Sequence, residues 1–164
     1  MSVKVGLPPV AREDARLFVL GSLPGDASLT ARHYYAYPRN GFWRLIGSAI
    51  GEDLQSLGYG ARIERLMTNR IGLWDVVAYA QRRGSLDQAI RGAGHNPLAY
   101  YLAGFAGLEA VAFNGGTAAT LGRRLLGGLD RVTLIDLPSS SPANTRSFDE
   151  KAAAWGRLAQ YCGQ

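Results

Sequence analysis

Four short runs along the chain are apolar almost throughout, instead of alternating between apolar and polar residues. The runs are Arg16–Leu20, Ile71–Val77, Ala110–Phe113 and Val132–Leu137. Continuous apolar runs of this length are typical of parallel strands that helices cover on both faces. The pattern therefore predicts a central, mainly parallel four-stranded sheet.

Helical patterns and helix-start signals lie between these runs. Ser85 and Ser147 are each followed three residues later by Gln or Glu, which is the capping-box pattern. Asn96-Pro97 is typical of an N-cap followed by proline at the first helical position. Because strands alternate with helices, we expect an α/β fold, a three-layer α/β/α sandwich. The predicted helices are Phe42–Ile50, Ala61–Met67, Ser85–Arg91, Leu98–Phe105, Thr117–Leu126 and Ser147–Tyr161.

Length and composition favour a single folded domain. The chain has 164 residues and 47% of them are hydrophobic, which is enough for a full core. We expect residues 15–164 to form this domain and residues 1–14 to form an arm or irregular lead-in. No apolar stretch is long enough to span a bilayer, and the first residues lack the apolar middle of a signal peptide. A cytoplasmic protein without a membrane partner is therefore expected.

Charge and cysteine content narrow the chemistry further. The formal net charge is +5, and Lys4 and Lys151 are the only lysines, so most basic residues are arginines. Arginine suits bidentate contacts to phosphate, and this balance permits nucleic-acid binding without requiring it. Cys162 is the only cysteine, which excludes an intrachain disulfide framework and an all-cysteine zinc or iron–sulfur site. No other cluster has metal-ligand spacing, so we expect neither a metal nor a cofactor.

The first predicted strand leads into the most informative segment of the chain. Gly21–Gly25 forms a Gly-x-x-Pro-Gly pattern, in which glycine lets backbone approach a ligand closely and proline stiffens the turn. The aromatic stretch Tyr35–Trp43 follows and contains the amide of Asn40. Flat rings beside polar groups suggest a pocket for a planar, polar molecule such as a nucleobase. An ordinary turn between a strand and a helix is the alternative.

Three further loops follow the other predicted strands, and the carboxyl ends of parallel strands meet at one edge of a sheet. Asp75 lies near the end of the second run, where a carboxylate must be paired or lie in a cleft. Phe113–Thr117 places two glycines before a helix, where free amides can meet a phosphate. Leu137–Arg146 combines prolines with hydroxyls, an amide and an arginine suited to a phosphate backbone. A purely structural role stays open for each loop.

These motifs together resemble the uracil-DNA glycosylase superfamily. Gly21–Gly25 resembles its first motif, and Leu137–Arg146 resembles its second. Tyr35–Trp43 is similar to the stretch that follows the first motif in mismatch-specific uracil glycosylases. With the Phe113-Asn114-Gly115 turn, the set is most similar to the hypoxanthine-DNA (deoxyinosine) glycosylase branch, family 6. The resemblance implies a monomeric, monofunctional enzyme of base excision repair. Such an enzyme flips a deaminated base out of DNA and hydrolyses its N-glycosidic bond.

The resemblance also implies roles for individual residues. Leu23 stands where several relatives carry a catalytic Asp or Asn, so Asn40 is the residue expected to position the attacking water. Tyr35 is expected to stack on the extruded base, and Asp75 to read the base edge or to assist the water. The other expected base-binding residues are Ser22 and Leu23, through their amides, and Ser139. The expected DNA-binding residues are Asn114, Gly115, Ser140, Ser141, Asn144 and Arg146.

The second motif departs from the superfamily pattern. Ser139 and Ala143 occupy the places where many relatives have a histidine or asparagine and a leucine wedge. A serine is a weaker electrostatic partner and an alanine a poor wedge, so strong uracil activity and strong duplex preference are not expected. Three alternatives remain: a uracil-preferring mismatch-type glycosylase, a non-catalytic binder of damaged DNA, and an α/β protein that binds a free nucleotide.

Overall fold

The structure is a computed structural model that describes residues 2–163. Its strands in chain order are β1 Val3–Val5, β2 Leu17–Gly21, β3 Ile71–Asp75, β4 Val77–Gln81, β5 Arg91–His95, β6 Ala110–Asn114 and β7 Thr133–Leu137. Its α-helices are α1 Asp26–Ala31, α2 Phe42–Ile50, α3 Tyr59–Thr68, α4 Leu98–Ala103, α5 Gly116–Leu125 and α6 Phe148–Trp155. Two 3-10 helices cover Asp87–Ala89 and Gly156–Tyr161.

The main sheet contains four parallel strands in the order β3-β2-β6-β7. Every residue of β2, β3 and β6 is buried, which explains why these strands are apolar throughout. Leu17 and Val19 of β2 pack with α2, α3 and α6 on one face of the sheet. Phe18 and Leu20 pack with α4 and α5 on the other. This arrangement confirms the predicted three-layer α/β sandwich around a parallel sheet.

A second, smaller sheet lies outside the predicted one. It is antiparallel, in the order β1-β4-β5. The prediction of a single strand over Ile71–Val77 is wrong, because these residues contribute to two strands that lie in different sheets. The chain leaves the main sheet after Asp75, and Val77 starts β4, where it pairs with His95. The first fourteen residues, expected as an arm or irregular lead-in, contribute β1 and the buried Leu7.

Of the three predicted capping residues, Ser85 and Asn96 do not cap a helix and Ser147 does, although α4 begins at Leu98 as predicted. Ser85 does not cap a helix because its hydroxyl accepts from the Asp26 amide at 3.0 Å; a 3-10 turn and strand β5 replace the predicted helix. Asn96 does not cap α4, because its Nδ2 donates to the Asp75 carbonyl at 2.8 Å. Ser147 does cap α6, since its hydroxyl accepts from the Glu150 amide.

The parallel strands bring four chain segments to one edge of the main sheet. β2 ends at Gly21, β3 at Asp75, β6 at Asn114 and β7 at Leu137. The segments that follow these ends carry most of the polar groups singled out from the sequence. The candidate site is therefore expected at this edge.

Candidate active site

A cavity of about 1040 Å³ opens at the carboxyl edge of the main sheet. This volume lies at the upper end of the range for small-molecule sites, about 300–1,000 Å³. Most residues expected to contact base or DNA line it. They are Ser22, Leu23, Tyr35, Asn40, Asp75, Asn114, Ser139, Ser140, Ser141 and Asn144. Gly115 and Arg146 lie outside its lining.

The Gly21–Gly25 turn forms one side of the cavity and presents backbone to it. The Leu23 side chain is only 6% exposed and packs against Val77 and Ala80, so it points into the core. The Leu23 amide has no acceptor among the described residues. Its carbonyl and that of Pro24 accept from the guanidinium of Arg82. Leu23 can therefore contact a ligand through its N–H.

The buried side chain of Arg82 holds the Gly21–Gly25 turn in place through hydrogen bonds. This side chain is 1% exposed and donates to the carbonyl oxygens of Leu23, Pro24 and Gly84. A buried guanidinium needs several acceptors, and here backbone carbonyls supply them. No sequence pattern indicated this role, because Arg82 lies after the apolar run and outside every motif.

Gly21 is needed because two functional side chains occupy the space beside it. A Cβ at this position would lie 2.6 Å from Asp75 Oδ1 and 3.1 Å from the Tyr35 hydroxyl. Both distances are shorter than ordinary van der Waals contact. The end of β2 thus admits the carboxyl and the phenol only if residue 21 has no side chain.

Tyr35 is held in a strained conformation that aims its ring at the cavity. Its φ is +55°, a region that non-glycine residues enter at a cost of roughly 1–3 kcal/mol. The Trp43 indole donates to the Tyr35 carbonyl at 3.2 Å, and the next amide donates to Ser28 Oγ. One face of the ring stacks on Phe42, with centroids 3.9 Å apart and planes 10° apart. A base can therefore meet only the other face.

The Tyr35 hydroxyl accepts a hydrogen bond from Asn114 Nδ2 at 3.2 Å. Burial raises the pKa of this phenol above its ordinary value, and the neighbouring Asp75 raises it further. The hydrogen bond from Asn114 acts in the opposite direction. Tyr35 is therefore a neutral phenol at physiological pH.

Asn40, Ser140 and Asn114 form a hydrogen-bonded chain along the cavity wall. Asn40 Oδ1 accepts from the Phe42 amide at 2.9 Å and from the Ser140 hydroxyl at 2.8 Å. The Ser140 hydroxyl in turn accepts from Asn114 Nδ2 at 2.9 Å. The Ser140 amide donates to Asn114 Oδ1 at 2.9 Å. Backbone N–H groups can only donate, so these contacts fix the orientation of both side-chain amides.

This chain determines what Asn40 offers to a ligand. Its oxygen already accepts two hydrogen bonds, which use both lone pairs. Its Nδ2 has no acceptor among the described residues, and the half-buried side chain lines the cavity. Asn40 therefore presents two N–H donors and cannot take up a proton.

The structure changes the position expected for three of the DNA-contact residues. Ser140 is 2% exposed and Asn114 is 7% exposed, and their side chains bond to the wall instead of facing solvent. Gly115 donates its amide to the Leu137 carbonyl, its φ is +98°, and a Cβ at this position would lie 3.1 Å from Ser139 Cβ. These groups are therefore engaged within the protein, and the side chains of Ser140 and Asn114 form part of the cavity wall.

The loop after β7 remains the accessible part of the site. The Ser139 hydroxyl accepts from the Ser141 amide, and Asn144 Oδ1 accepts from the Arg146 amide, so two short turns shape the loop. Lys151, which is 7% exposed, donates to the carbonyls of Ser141 and Asn144. The exposed Arg146 side chain extends from this loop. Lys151 lies inside a helix, where no sequence signal indicated a loop contact.

Asp75 is the most unusual group in the cavity. It is 4% exposed, and its Oδ2 is buried without a hydrogen-bond partner. Burial raises its pKa to about 7, nearby Asp87 adds to this rise, and Arg82 opposes it. An acid with a pKa near neutrality in a cleft is a typical functional group.

Asp87 completes this side of the cavity and was not singled out from the sequence. The Ser22 hydroxyl donates to Asp87 Oδ1 at 2.6 Å, which ties the 3-10 turn to the end of β2. Asp87 lies within the segment where a helix was expected, so the sequence did not predict that it lies beside the strand ends. The Gly84-Ser85 pair just before it was the available sign of a loop.

The described residues hold no group of three His, Cys, Asp or Glu side chains close enough to bind a metal ion. None of the helices in this part of the chain is long and apolar enough to cross a membrane. The polar side-chain groups of the cavity are amides, hydroxyls, carboxyls, three phenols and the guanidinium of Arg39. They are suited to hydrogen bonding and charge stabilisation.

The fold and the cavity define an α/β protein with a polar cavity, lined in part by tyrosine rings, at the edge of a parallel sheet. A family model described as the uracil DNA glycosylase superfamily matches residues 8–159. The chain belongs to this superfamily. The family assignment confirms the predicted enzyme class, a DNA glycosylase that hydrolyses N-glycosyl bonds.

Individual relatives agree with this assignment. Two proteins named hypoxanthine DNA glycosylase, from Methanosarcina barkeri and Methanosarcina acetivorans, are 42% and 40% identical to this chain. Each match covers 93% of this chain, and 95% and 96% of the respective relative. The solution NMR structure of a Methanosarcina acetivorans protein described as a candidate uracil DNA glycosylase has a TM-score of 0.87 at 38% identity. That match covers 97% of this chain and 98% of the other.

Proposed function

We propose that this chain removes hypoxanthine from DNA by hydrolysing the N-glycosidic bond of deoxyinosine, leaving an abasic site. Xanthine and uracil are weaker substrates in this proposal. The observation that carries it is the convergence of Tyr35, Asn40 and Asp75 on one cavity. A ring, an amide and a carboxyl are the groups needed to hold an extruded base and a water molecule.

In the proposed reaction the base enters the cavity and lies against the free face of Tyr35. The bond between C1′ and the base nitrogen breaks, and its electron pair leaves with the base. Water adds to C1′ and loses a proton to solvent, while the base anion gains a proton. The products are an abasic sugar and the free base.

Asn40 is proposed to hold the attacking water through Nδ2. A water oxygen that accepts from this amide keeps a lone pair free to attack C1′. Little activation is needed, because the sugar becomes oxocarbenium-like as the bond breaks, so correct placement of the water dominates. The two bonds to Asn40 Oδ1 support this role, since they keep the amide from rotating.

The neutral groups of the cavity suit the departing base. Negative charge develops on the base as the bond breaks, and fixed donors lower the energy of that state. The free amide of Leu23 is such a donor, and Ser22 and Ser139 add polar groups to the lining. Ser141, Asn144 and Arg146 are proposed to contact phosphates near the extruded nucleotide. All of these residues belong to one chain, so we infer that the enzyme acts as a monomer. We also propose that it acts on DNA in the cytoplasm, at the nucleoid.

The test uses oligonucleotides that carry one hypoxanthine, xanthine or uracil, with alkaline cleavage of abasic sites as the readout. We expect strand breaks, fastest with hypoxanthine, and at least a hundredfold slower with Asn40→Asp. That variant keeps the acceptor for Phe42 and Ser140 but loses both N–H donors, so it separates water placement from wall structure. Full activity in Asn40→Asp would contradict the role of Nδ2.

Other results would favour the alternatives. Faster cleavage at uracil would support a uracil-preferring enzyme. Tight binding to the modified strands without any cleavage would support a non-catalytic binder. Binding of a free inosine nucleotide without binding of DNA would support a nucleotide-binding protein.

A further inference from the structure

Asp75 has an unmet hydrogen-bonding requirement at the cavity. Among residues 2–163, its Oδ2 is the one buried side-chain oxygen or nitrogen without a hydrogen-bond partner. A buried carboxylate oxygen without a donor is costly, and the cost falls if the carboxyl is protonated or if a ligand supplies the missing contact. The side chain lines the cavity, so a bound base can contact the carboxyl through its other oxygen, Oδ1, which is not buried.

Among the described residues, no cation forms an ion pair or a hydrogen bond with the Asp75 carboxyl. Arg82 lowers the pKa of Asp75 through its charge, but its hydrogen bonds go to three backbone carbonyls and not to Asp75. No ion pair of Asp75 exists among the described residues. The carboxyl is therefore buried without the pairing that an ionised group needs.

A second carboxyl faces the same cavity from the 3-10 turn. Asp87 accepts from the Ser22 hydroxyl at 2.6 Å, and this bond supports its charged form. Two carboxyls that share one cavity disfavour each other's ionisation. The charge of Asp87 disfavours ionisation of Asp75, and Asp75 Oδ2 has no donor that would offset this, so Asp75 keeps the proton.

The other groups around Asp75 do not reverse this assignment. Tyr34 and Tyr35, from the segment before α2, are phenols that burial keeps neutral. β2 and β6 contribute Gly21 and Asn114, which carry no charge. The groups facing Asp75 that titrate or carry charge are Tyr34, Tyr35, Arg82 and Asp87.

We propose that Asp75 meets the extruded base as a neutral carboxylic acid that donates a hydrogen bond to a base carbonyl. Asp87 is the positioning residue whose charge keeps it neutral. This inference rests on the proposed glycosylase function. Deaminated bases carry a carbonyl next to a ring N–H, and a neutral carboxyl can donate a hydrogen bond to that carbonyl. An ionised carboxyl offers only acceptors and would oppose the carbonyl lone pairs.

The neutral form also favours the reaction itself. As the N-glycosidic bond breaks, its electron pair spreads over the base and onto the carbonyl oxygen. The hydrogen bond from Asp75 strengthens as this charge grows, so it stabilises the transition state more than the bound substrate. The proton stays on Asp75 throughout. An ionised Asp75 would repel the departing anion.

The experiment is a pH series of single-turnover cleavage of a hypoxanthine-containing oligonucleotide, from pH 5.5 to 9. For the unmodified protein, we expect the rate constant to fall tenfold per pH unit above the pKa of Asp75. Asp75→Asn carries a permanent donor and acceptor, so its rate should not decline at high pH. In Asp87→Asn the decline should begin about one pH unit lower, because the repelling charge is gone.

Glu109→Gln is the matched control. It also removes one carboxylate, but Glu109 pairs with Arg16 at the opposite edge of the main sheet. Its pH profile should coincide with that of the unmodified protein. Circular dichroism of each variant establishes that it is folded.

Three outcomes would overturn the inference. The first is a rate that rises with pH together with at least a hundredfold loss in Asp75→Asn, which would make Asp75 an ionised base. The second is a profile of Asp87→Asn that matches that of Glu109→Gln. The third is a carboxyl carbon of Asp75 that titrates below pH 5 in NMR spectra of the free protein.

The NMR titration also separates this inference from the proposed function. If the unmodified protein cleaves none of the three modified strands, the proposed function fails. The titration of Asp75 near neutral pH, and its shift to lower pH in Asp87→Asn, would still test the proton assignment in the free protein.

Discussion

The Ser140 hydroxyl donates a hydrogen bond of 2.8 Å to Asn40 Oδ1, although the two residues lie 100 positions apart in the chain. The contact joins the loop after β7 to the segment before α2. A second bond, from the Gly41 amide to the Ser140 carbonyl at 2.9 Å, closes the same junction. The proposed water-positioning amide is thus held by the loop that is proposed to contact DNA.

Ser140→Ala removes the hydroxyl that connects the two asparagines. The Asn114 amide loses an acceptor, so we expect the free energy of unfolding to fall by about 1–3 kcal/mol. Asn40 Oδ1 then accepts only the hydrogen bond from the Phe42 amide, so its side-chain amide can rotate. Hydrolysis should therefore slow roughly tenfold. Urea unfolding and single-turnover cleavage measure the two effects. Ser56→Ala is the control, since that hydroxyl donates only within an exposed turn; an equal loss in both variants would contradict the prediction.

Gly21→Ala tests the close packing at the end of β2. The new Cβ would lie 2.6 Å from Asp75 Oδ1 and 3.1 Å from the Tyr35 hydroxyl, so both must move. We expect a destabilisation of about 1–3 kcal/mol and a loss of hydrolysis that exceeds the loss of DNA binding. Gly60→Ala is the matched control, because a Cβ there meets open space. Hydrolysis at the normal rate in Gly21→Ala would show that this geometry is not required.

The main sheet could be predicted because its strands are buried on both faces and therefore appear as uninterrupted apolar runs. The small sheet could not. Strand β5 has the sequence Arg-Gly-Ala-Gly-His, which has low strand propensity, and it is mostly exposed. Strand β5 forms because it pairs with the edge of β4, which is a tertiary effect that local sequence does not encode.

The same limit applies to the site. The strand-end loops could be located because parallel strands place their carboxyl ends together. The partners inside the cavity depend on long-range contacts that a linear pattern does not contain. Ser85 illustrates this, since it matches a capping box but its hydroxyl bonds to Asp26 instead. Asp87 was assigned to a helix for the same reason.

Arg82→Met tests the anchor behind the Gly21–Gly25 turn. Methionine fills much of the space but leaves the carbonyls of Leu23 and Pro24 without their donor. We expect a loss of about 3 kcal/mol in the free energy of unfolding and slower hydrolysis, because the turn loosens. Arg83→Met replaces the exposed neighbour and should change neither quantity measurably. Equal stability of the two variants would refute the anchoring role.

Asp75 also makes the stability of the protein depend on pH. Its pKa is about 7 in the folded protein and near the ordinary value of 3.8 in the unfolded chain. Between these values the folded state holds more protons, so the free energy of unfolding falls as pH rises from about 4 to 7 and then levels off. Relative to Asp75→Asn, the unmodified protein should lose on the order of 4 kcal/mol over this window. Urea unfolding at pH 4.5 and pH 8 measures the difference, and parallel changes in both proteins would exclude it.

Arg146→Ala separates DNA binding from the chemistry of the cavity. The Arg146 side chain is exposed, does not line the cavity, and makes no hydrogen bond to any of residues 2–163. If it contacts a phosphate, its removal should weaken binding to all DNA sequences and reduce the slope of log K against log salt by about 1. The single-turnover rate at saturating enzyme should remain unchanged. Arg124→Ala is the matched control, because it removes the same charge from the end of α5 away from the cavity. A salt slope that falls equally in both variants would indicate a general charge effect, whereas a fall confined to Arg146→Ala places the DNA backbone beside the loop after β7.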